Sequence, residues 1–187
     1  MIREEMLVEL VDEAGEPIGS ATVAAAHAAP GNLHRAFSIV LVDDLGRLLL
    51  QQRAAMKTRF PLRWANACCG HPGPGSDLVA DASRRLFEEL GLTGIDLHPV
   101  GVHRYQAQDP VTERVEYEYD HVLVGRLDDL SAARPDPAEV AALRWATADE
   151  VRQGLASRPW SYAPWLSGVV EVWQSATEPQ GGFGASG

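Results

Sequence analysis

The chain has 187 residues, 45% of them apolar and 22% charged, with a net charge of −10. This length suits one globular domain with an ordinary core. The acidic balance argues against a nucleic-acid binder, which needs a basic surface, and no apolar run reaches the roughly 18 residues of a membrane span.

Met6 to Val11 alternates weakly and reads as a strand, followed by a turn over Asp12 to Glu16. Ala21 to Ala29 is a short alanine-rich segment. Ala36 to Val42 is a strongly apolar strand, and Asp43-Asp44-Leu45-Gly46 turns it back into Arg47 to Gln52. Leu78 to Leu90 predicts a helix, because Val79, Ala82, Leu86 and Leu90 recur on one face. Gly91 is placed to end it. Val100 to Tyr105, Val115 to Val124 and Ala141 to Ala146 read as strands. Thr147 is an N-cap for a helix from Ala148 to Leu155, with Asp149 and Glu150 suited to its positive end. Trp165 to Ser175 reads as the last helix. The glycine-rich end, 177–187, reads as a flexible tail behind a single domain over 1–176. Strands interspersed with few helices predict an α/β sandwich with a mixed sheet.

The opening Met1-Ile2-Arg3-Glu4-Glu5 lacks the basic and apolar regions of a signal peptide. The two cysteines are adjacent and cannot staple a fold. A reducing cytoplasm is therefore expected.

Three groups of residues carry chemistry. His27 and His34 flank a loop before the first core strand, and His71 follows the cysteines. Glu116 and Glu118 are two apart in a strand and point to one face. Three imidazoles and two carboxylates suit a divalent ion. The plainer reading makes Glu116, Glu118 and Asp120 the solvated face of an edge strand. His98, His103 and His121 read as structural. Cys69 precedes Gly70-His71, so a tight turn could bring thiol and imidazole into one pocket. Cys68 would point to the opposite face, into the core. Arg53, Lys57, Arg59 and Arg63 put four of the 16 basic residues into one acid-free stretch. They read either as a diphosphate grip or as a solvated loop. In the helix, Arg84–Glu88 and Arg85–Glu89 are i,i+4 pairs, or Arg85 and Glu89 face a ligand.

Six segments in this order resemble the type 1 isopentenyl-diphosphate isomerases, a branch of the Nudix superfamily. They are Ala25-Ala26-His27 with Leu33-His34-Arg35-Ala36-Phe37, Trp64 to Pro72, Arg84-Arg85 with Glu89-Leu90-Gly91, Tyr105-Gln106-Ala107, Val115-Glu116-Tyr117-Glu118, and Pro164-Trp165. The Nudix hydrolase pattern G-x5-E-x7-R-E-U-x-E-E-x-G-U is matched with two changes, Ser76 and Arg85 standing for glutamates. Losing two carboxylates disfavours hydrolysis, so a diphosphohydrolase is the alternative activity and a non-catalytic metal-binding module a third reading.

The resemblance implies a Nudix-like α/β/α sandwich that isomerises isopentenyl diphosphate to dimethylallyl diphosphate. It implies that His27, His34, His71, Glu116 and Glu118 hold one divalent metal (Mn²⁺, Mg²⁺ or Zn²⁺). Glu89 would carry a second ion, Mg²⁺. Cys69 and Glu118 would be the catalytic pair, with Tyr105 supporting Glu118 and Trp165 facing the hydrocarbon. Arg53, Lys57 and Arg85 would bind phosphate oxygens. Members often carry a lysine four residues before the first histidine ligand, where this chain has Val23. A small-molecule diphosphate is the expected partner, without nucleic acid or membrane, and the chain is expected to be a monomer or weak dimer.

Overall fold

A computed structural model describes residues 3–177. The order is β1 (Leu7–Val11), β2 (Pro17–Thr22), α1 (Val23–Ala26), β3 (His34–Val42), β4 (Leu48–Arg53), β5 (Trp64–Ala65), β6 (Cys68–Gly70), α2 (Leu78–Leu90), β7 (His98–Gln108), β8 (Val115–Arg126), β9 (Val140–Ala146), α3 (Ala148–Ser157) and α4 (Leu166–Thr177). The expected tail from Glu178 onward lies outside the described residues, and Thr177 itself ends α4.

β3 organises the sheet. It pairs antiparallel with β1, β4 and β6 and parallel with β8. β8 then pairs antiparallel with β7, and β4 with β5 and β9. The sheet is mixed, as expected. Because side chains alternate across a strand, each central strand feeds two cores. Phe37, Ile39, Leu41, Leu49 and Leu123 pack under Ala82, Leu86 and Leu90 of α2. Val40, Leu48, Leu50 and Val122 pack under Val151 of α3 and Leu166, Val169 and Val170 of α4. The result is an α/β/α sandwich, and each fully buried leucine contributes roughly 1.5–3 kcal/mol.

α2 spans the expected residues. Asp77 accepts from the Ala80 amide at its start, and Gly91 closes it with φ +68°. A Cβ on Gly91 would meet the Arg134 side chain at 2.8 Å. α3 begins on a capping box in which Thr147 and Glu150 satisfy each other's backbone.

Four differences from the sequence reading have physical reasons. β2 is an added strand on β1, and it is mostly exposed, so it carries no apolar alternation. Only Val23–Ala26 of the alanine-rich segment is helical, one turn capped by Thr22. β7 is longer than expected because its full length pairs with β8. β8 is no edge strand: it lies between β3 and β7, and Glu116, Glu118 and Asp120 are buried.

Gly91→Ala is expected to cost about 1–2 kcal/mol, from the left-handed backbone and the crowding at Arg134. Thermal unfolding should show a drop of roughly 2–8 °C; an unchanged midpoint would contradict this role.

Candidate active site

One stripe of side chains changes character along the α4 face of the sheet. Val40 and Val122 are core. The next inward pair on that face is Ser38 and Asp120, and at the strand ends stand His34 and Glu118, directly opposed in the parallel register. Glu116 follows two residues out. His27 ends the α1 turn, and His71 follows β6, which runs antiparallel to β3 with Cys69 opposite Ser38. Three strands and one helical turn thus deliver the expected ligands to one point.

Single ligating atoms from His27, His34, His71, Glu116 and Glu118 all lie within 4.8 Å of one another. The Nδ1 atoms of His27 and His34 each sit 2.7 Å from a backbone carbonyl, of Val23 and Asn32. A carbonyl only accepts, so Nδ1 carries the proton and Nε2 turns its lone pair to the cluster. His27 Nε2 is 2.9 Å from Glu116 Oε2, and His71 Nε2 is 2.9 Å from Glu118 Oε1. Each carboxylate is held by its other oxygen. Arg59 Nε donates to Glu116 Oε1 at 3.1 Å, and the Tyr105 hydroxyl donates to Glu118 Oε2 at 2.6 Å. His27 Nε2, His34 Nε2 and Glu116 Oε2 are buried without a hydrogen-bond partner. Buried lone pairs facing one another need a cation between them. The donor set therefore fits a divalent ion with nitrogen and oxygen ligands.

Electrostatics agree. Burial pushes the Glu118 carboxyl up, but His34 and Tyr105 outweigh it and hold the group down at about 2. Burial lowers the His34 imidazole, yet the hydrogen bond and charge of Glu118 raise it above its usual value. Burial, then His34 and His27, push His71 well down.

Cys69 faces the site, and Cys68 is buried in the core beneath α2, as the alternation predicts. The Cys69 Sγ lies 3.3 Å from Asn66 Oδ1 and 3.6 Å from Ser38 Oγ. Burial pushes its thiol up to about 12. Asn66 Oδ1 also accepts from Trp165 Nε1 at 3.1 Å, so one amide orients both groups. Ser38 donates to Asp120 at 2.7 Å, and burial followed by the Glu118 charge raises Asp120 well above the usual carboxylate range. Cys69, Glu118, Tyr105, His71 and Trp165 line one small cavity of ≈ 30 Å³.

Beside it is a network of ion pairs. Arg85 Nη2 reaches Glu89 at 2.5 Å and Glu139 at 2.7 Å. Lys57 pairs with Glu139 and lies 3.7 Å from Glu89. Gln51 donates to Glu89 at 3.0 Å. Arg53 departs from a free phosphate ligand. Its Nε and Nη2 are committed to the carbonyls of Arg59 and Phe60, and its guanidinium carbon lies 5.3 Å from the Trp165 ring. It still lines the small cavity. The basic stretch is not a solvated loop, since Arg53 and Arg59 are buried.

Sequence reasoning missed Arg59, Asn66, Ser38, Asp120, Glu139 and Arg3 as parts of the site. The buried Arg59 lay inside the basic stretch already singled out, and Asp120 continued the period-two carboxylates. The others carried no local signal. His103, read as structural, stacks on Tyr105 with centroids 5.2 Å apart.

The NUDIX domain family matches residues 32–166. An isopentenyl-diphosphate Delta-isomerase of Nocardia farcinica is 57% identical over 95% of this chain and 99% of that protein. Another, from Streptomyces griseus, is 45% identical over 96% and 91%. Among solved structures, DR0079 from Deinococcus radiodurans superposes with a TM-score of 0.72 at 19% identity, covering 88% of this chain and 97% of that one, which is a likeness of fold. A NUDIX hydrolase from Nitrosomonas europaea gives 0.52 at 19% identity, over 77% and 88%. The chain belongs to the Nudix family, and within it to the branch of the isopentenyl-diphosphate isomerases. No helix among the described residues is long and apolar enough to cross a membrane.

In the metal-free protein, the raised His34 contributes stability that is complete below its unfolded value and lost as pH rises through the folded one. The lowered Glu118 contributes stability that is present above 4.5 and lost as pH falls toward about 2. A metal needs the neutral imidazole, so Mn²⁺ should raise the melting temperature more at pH 8 than at pH 5.5. His27→Ala should weaken Mn²⁺ binding at least about tenfold. A gain independent of pH, or undiminished in the variant, would contradict the site.

Proposed function

We propose that this protein interconverts isopentenyl diphosphate and dimethylallyl diphosphate by protonation and deprotonation through a tertiary carbocation. The observation that carries this reading is the small cavity in which a thiol, a carboxylate and an indole ring meet, next to a cluster of cations.

The chemistry sets strict demands. An unactivated alkene is a very weak base, so its proton donor must act where water is excluded. Moving the double bond by one carbon adds a proton at the terminal carbon and removes one from the carbon next to the ester-bearing carbon. Two groups are needed, one giving and one taking. Cys69 and Glu118 fill these roles, with Tyr105 hydrogen-bonded to Glu118. The Trp165 ring offers its electron-rich face to the tertiary cation. Asn66 fixes both the indole and the thiol.

Lys57 and Arg85 grip the diphosphate, and Arg53 adds positive charge and packing at the cavity wall. That grip orients the remote five-carbon tail between the two proton-handling groups. His27, His34, His71, Glu116 and Glu118 would hold one divalent ion (Mn²⁺, Mg²⁺ or Zn²⁺) and Glu89 a Mg²⁺, which supply fixed positive charge near Glu118 and the diphosphate. A cytoplasmic monomer or weak dimer acting on this one small molecule completes the reading.

Hydrolysis is disfavoured by two side chains. Ser76 is tied to Asp81 and the Gly73 carbonyl, and Arg85 places a cation against Glu89 where a hydrolase would cluster carboxylates.

Incubated with isopentenyl diphosphate and Mg²⁺ in D₂O, the protein should yield dimethylallyl diphosphate carrying deuterium, without phosphate release. Cys69→Ala and Glu118→Gln should each lower turnover by about 10³-fold while diphosphate binding survives. Released phosphate, or near-normal turnover in either variant, would refute the reading.

A further inference from the structure

We propose that Arg3 is a further diphosphate-binding residue, carried to the mouth of the site by the N-terminal turn; the proposal rests on the isomerase reading above.

Arg3–Glu5 form one 3-10 turn before β1. Its neighbour Glu4 anchors it: Glu4 Oε1 accepts from Arg59 Nη1 at 3.0 Å and from Thr58 Oγ1 at 3.1 Å. The same Arg59 holds the metal-site carboxylate Glu116. The turn is thereby pinned against the ligand cluster, and the Arg3 side chain lies across the cation cluster. Its Nη1 is 3.0 Å from Glu139 Oε1 and 3.9 Å from Glu89 Oε1. Those are the two carboxylates on which Lys57 and Arg85 converge. Three cations from three separate parts of the chain thus share two carboxylates. Glu88 also pairs with Arg85 at 3.1 Å, so the cluster is balanced in charge, and a diphosphate would exchange with these carboxylates as the acceptor the cations share.

The cavities point the same way. The ≈ 30 Å³ cavity is the smaller of the two that Arg3 lines. The adjoining cavity is ≈ 370 Å³ and is lined by Arg85, Glu139 and Val23. Arg3 and His71 are the two residues that line both. Val23 is buried against Val8 and Ala26 and adds no charge to that wall. Arg3 supplies it instead. Among the described residues only its Nη1 is engaged, and its side chain is 32% exposed. The rest of the guanidinium fork is available to phosphate oxygens. Glu139 keeps the three cations together until the diphosphate takes its place as their common acceptor.

The test compares wild type, Arg3→Ala and Arg3→Lys. Steady-state kinetics give KM and kcat for isopentenyl diphosphate, and calorimetry gives the affinity for inorganic pyrophosphate with Mg²⁺. In Arg3→Ala, KM and the pyrophosphate dissociation constant should rise together by about tenfold. The kcat and the melting temperature should stay near wild type. Arg3→Lys should recover part of both losses, since it restores the charge without the fork. Unchanged KM and pyrophosphate affinity in Arg3→Ala would overturn the proposal, as would a loss confined to kcat or to thermal stability. A wild-type protein that binds pyrophosphate but never turns over isopentenyl diphosphate would instead sink the isomerase reading, and the pyrophosphate comparison would still decide the role of Arg3.

Discussion

At one end of the sheet, three imidazole nitrogens and two carboxylate oxygens are packed so that their lone pairs face one another in a buried space. Such an arrangement is repulsive unless a cation joins the atoms. The fold enforces it all the same. Backbone carbonyls fix the tautomers of His27 and His34. Arg59 and Tyr105 each hold one oxygen of a glutamate and leave the other turned inward. The β3–β8 register sets His34 opposite Glu118. Everything else in the site takes its position from this cluster: Tyr105 through Glu118, Cys69 through the β3–β6 pairing, and the N-terminal turn through Arg59 and Glu4.

Next to this anionic nest lies a network of ion pairs. Arg85 and Lys57 gather on Glu89 and Glu139, on the α2 side of the sheet. The Nudix helix that presents carboxylates for hydrolysis in the family's pattern here presents an arginine paired with a glutamate. The change removes a carboxylate from the patch that the hydrolase pattern uses and, in the proposed function, leaves an arginine for the diphosphate. Trp165, Tyr105 and Cys69 line the small cavity beside it, which is where the proposed chemistry on the apolar tail would take place. Burial raises the Cys69 thiol and keeps it protonated at rest.

Much of this was legible in the chain. α2 was bounded by a terminal glycine, and its apolar face had a clear 3.6-residue period. Alternation split Cys68 from Cys69 correctly. The five side chains that converge stood out because histidines and paired glutamates flanked strands. What stayed hidden depends on tertiary contact. β2 carries no core face, so its pattern is silent. Glu116, Glu118 and Asp120 read equally well as a solvated face until β3 and β7 are seen to enclose β8. Arg59 looked like one basic residue among four, and only its buried contacts with Glu4 and Glu116 distinguish it. Asn66, Glu139 and Arg3 lie far apart in sequence, and their roles exist only where the folded chain brings them together.

The claim on which the account turns is that these five side chains form a single cation site. A crystal structure of the protein grown with Mn²⁺, with anomalous data collected at the manganese edge, tests it most directly. One strong peak is expected, bound by His27 Nε2, His34 Nε2, His71 Nε2, Glu116 Oε2 and Glu118 Oε1, with the Cys69 sulfur uncoordinated. No peak at that point, or a manganese ion ligated by Cys69 in place of the glutamates, would contradict it.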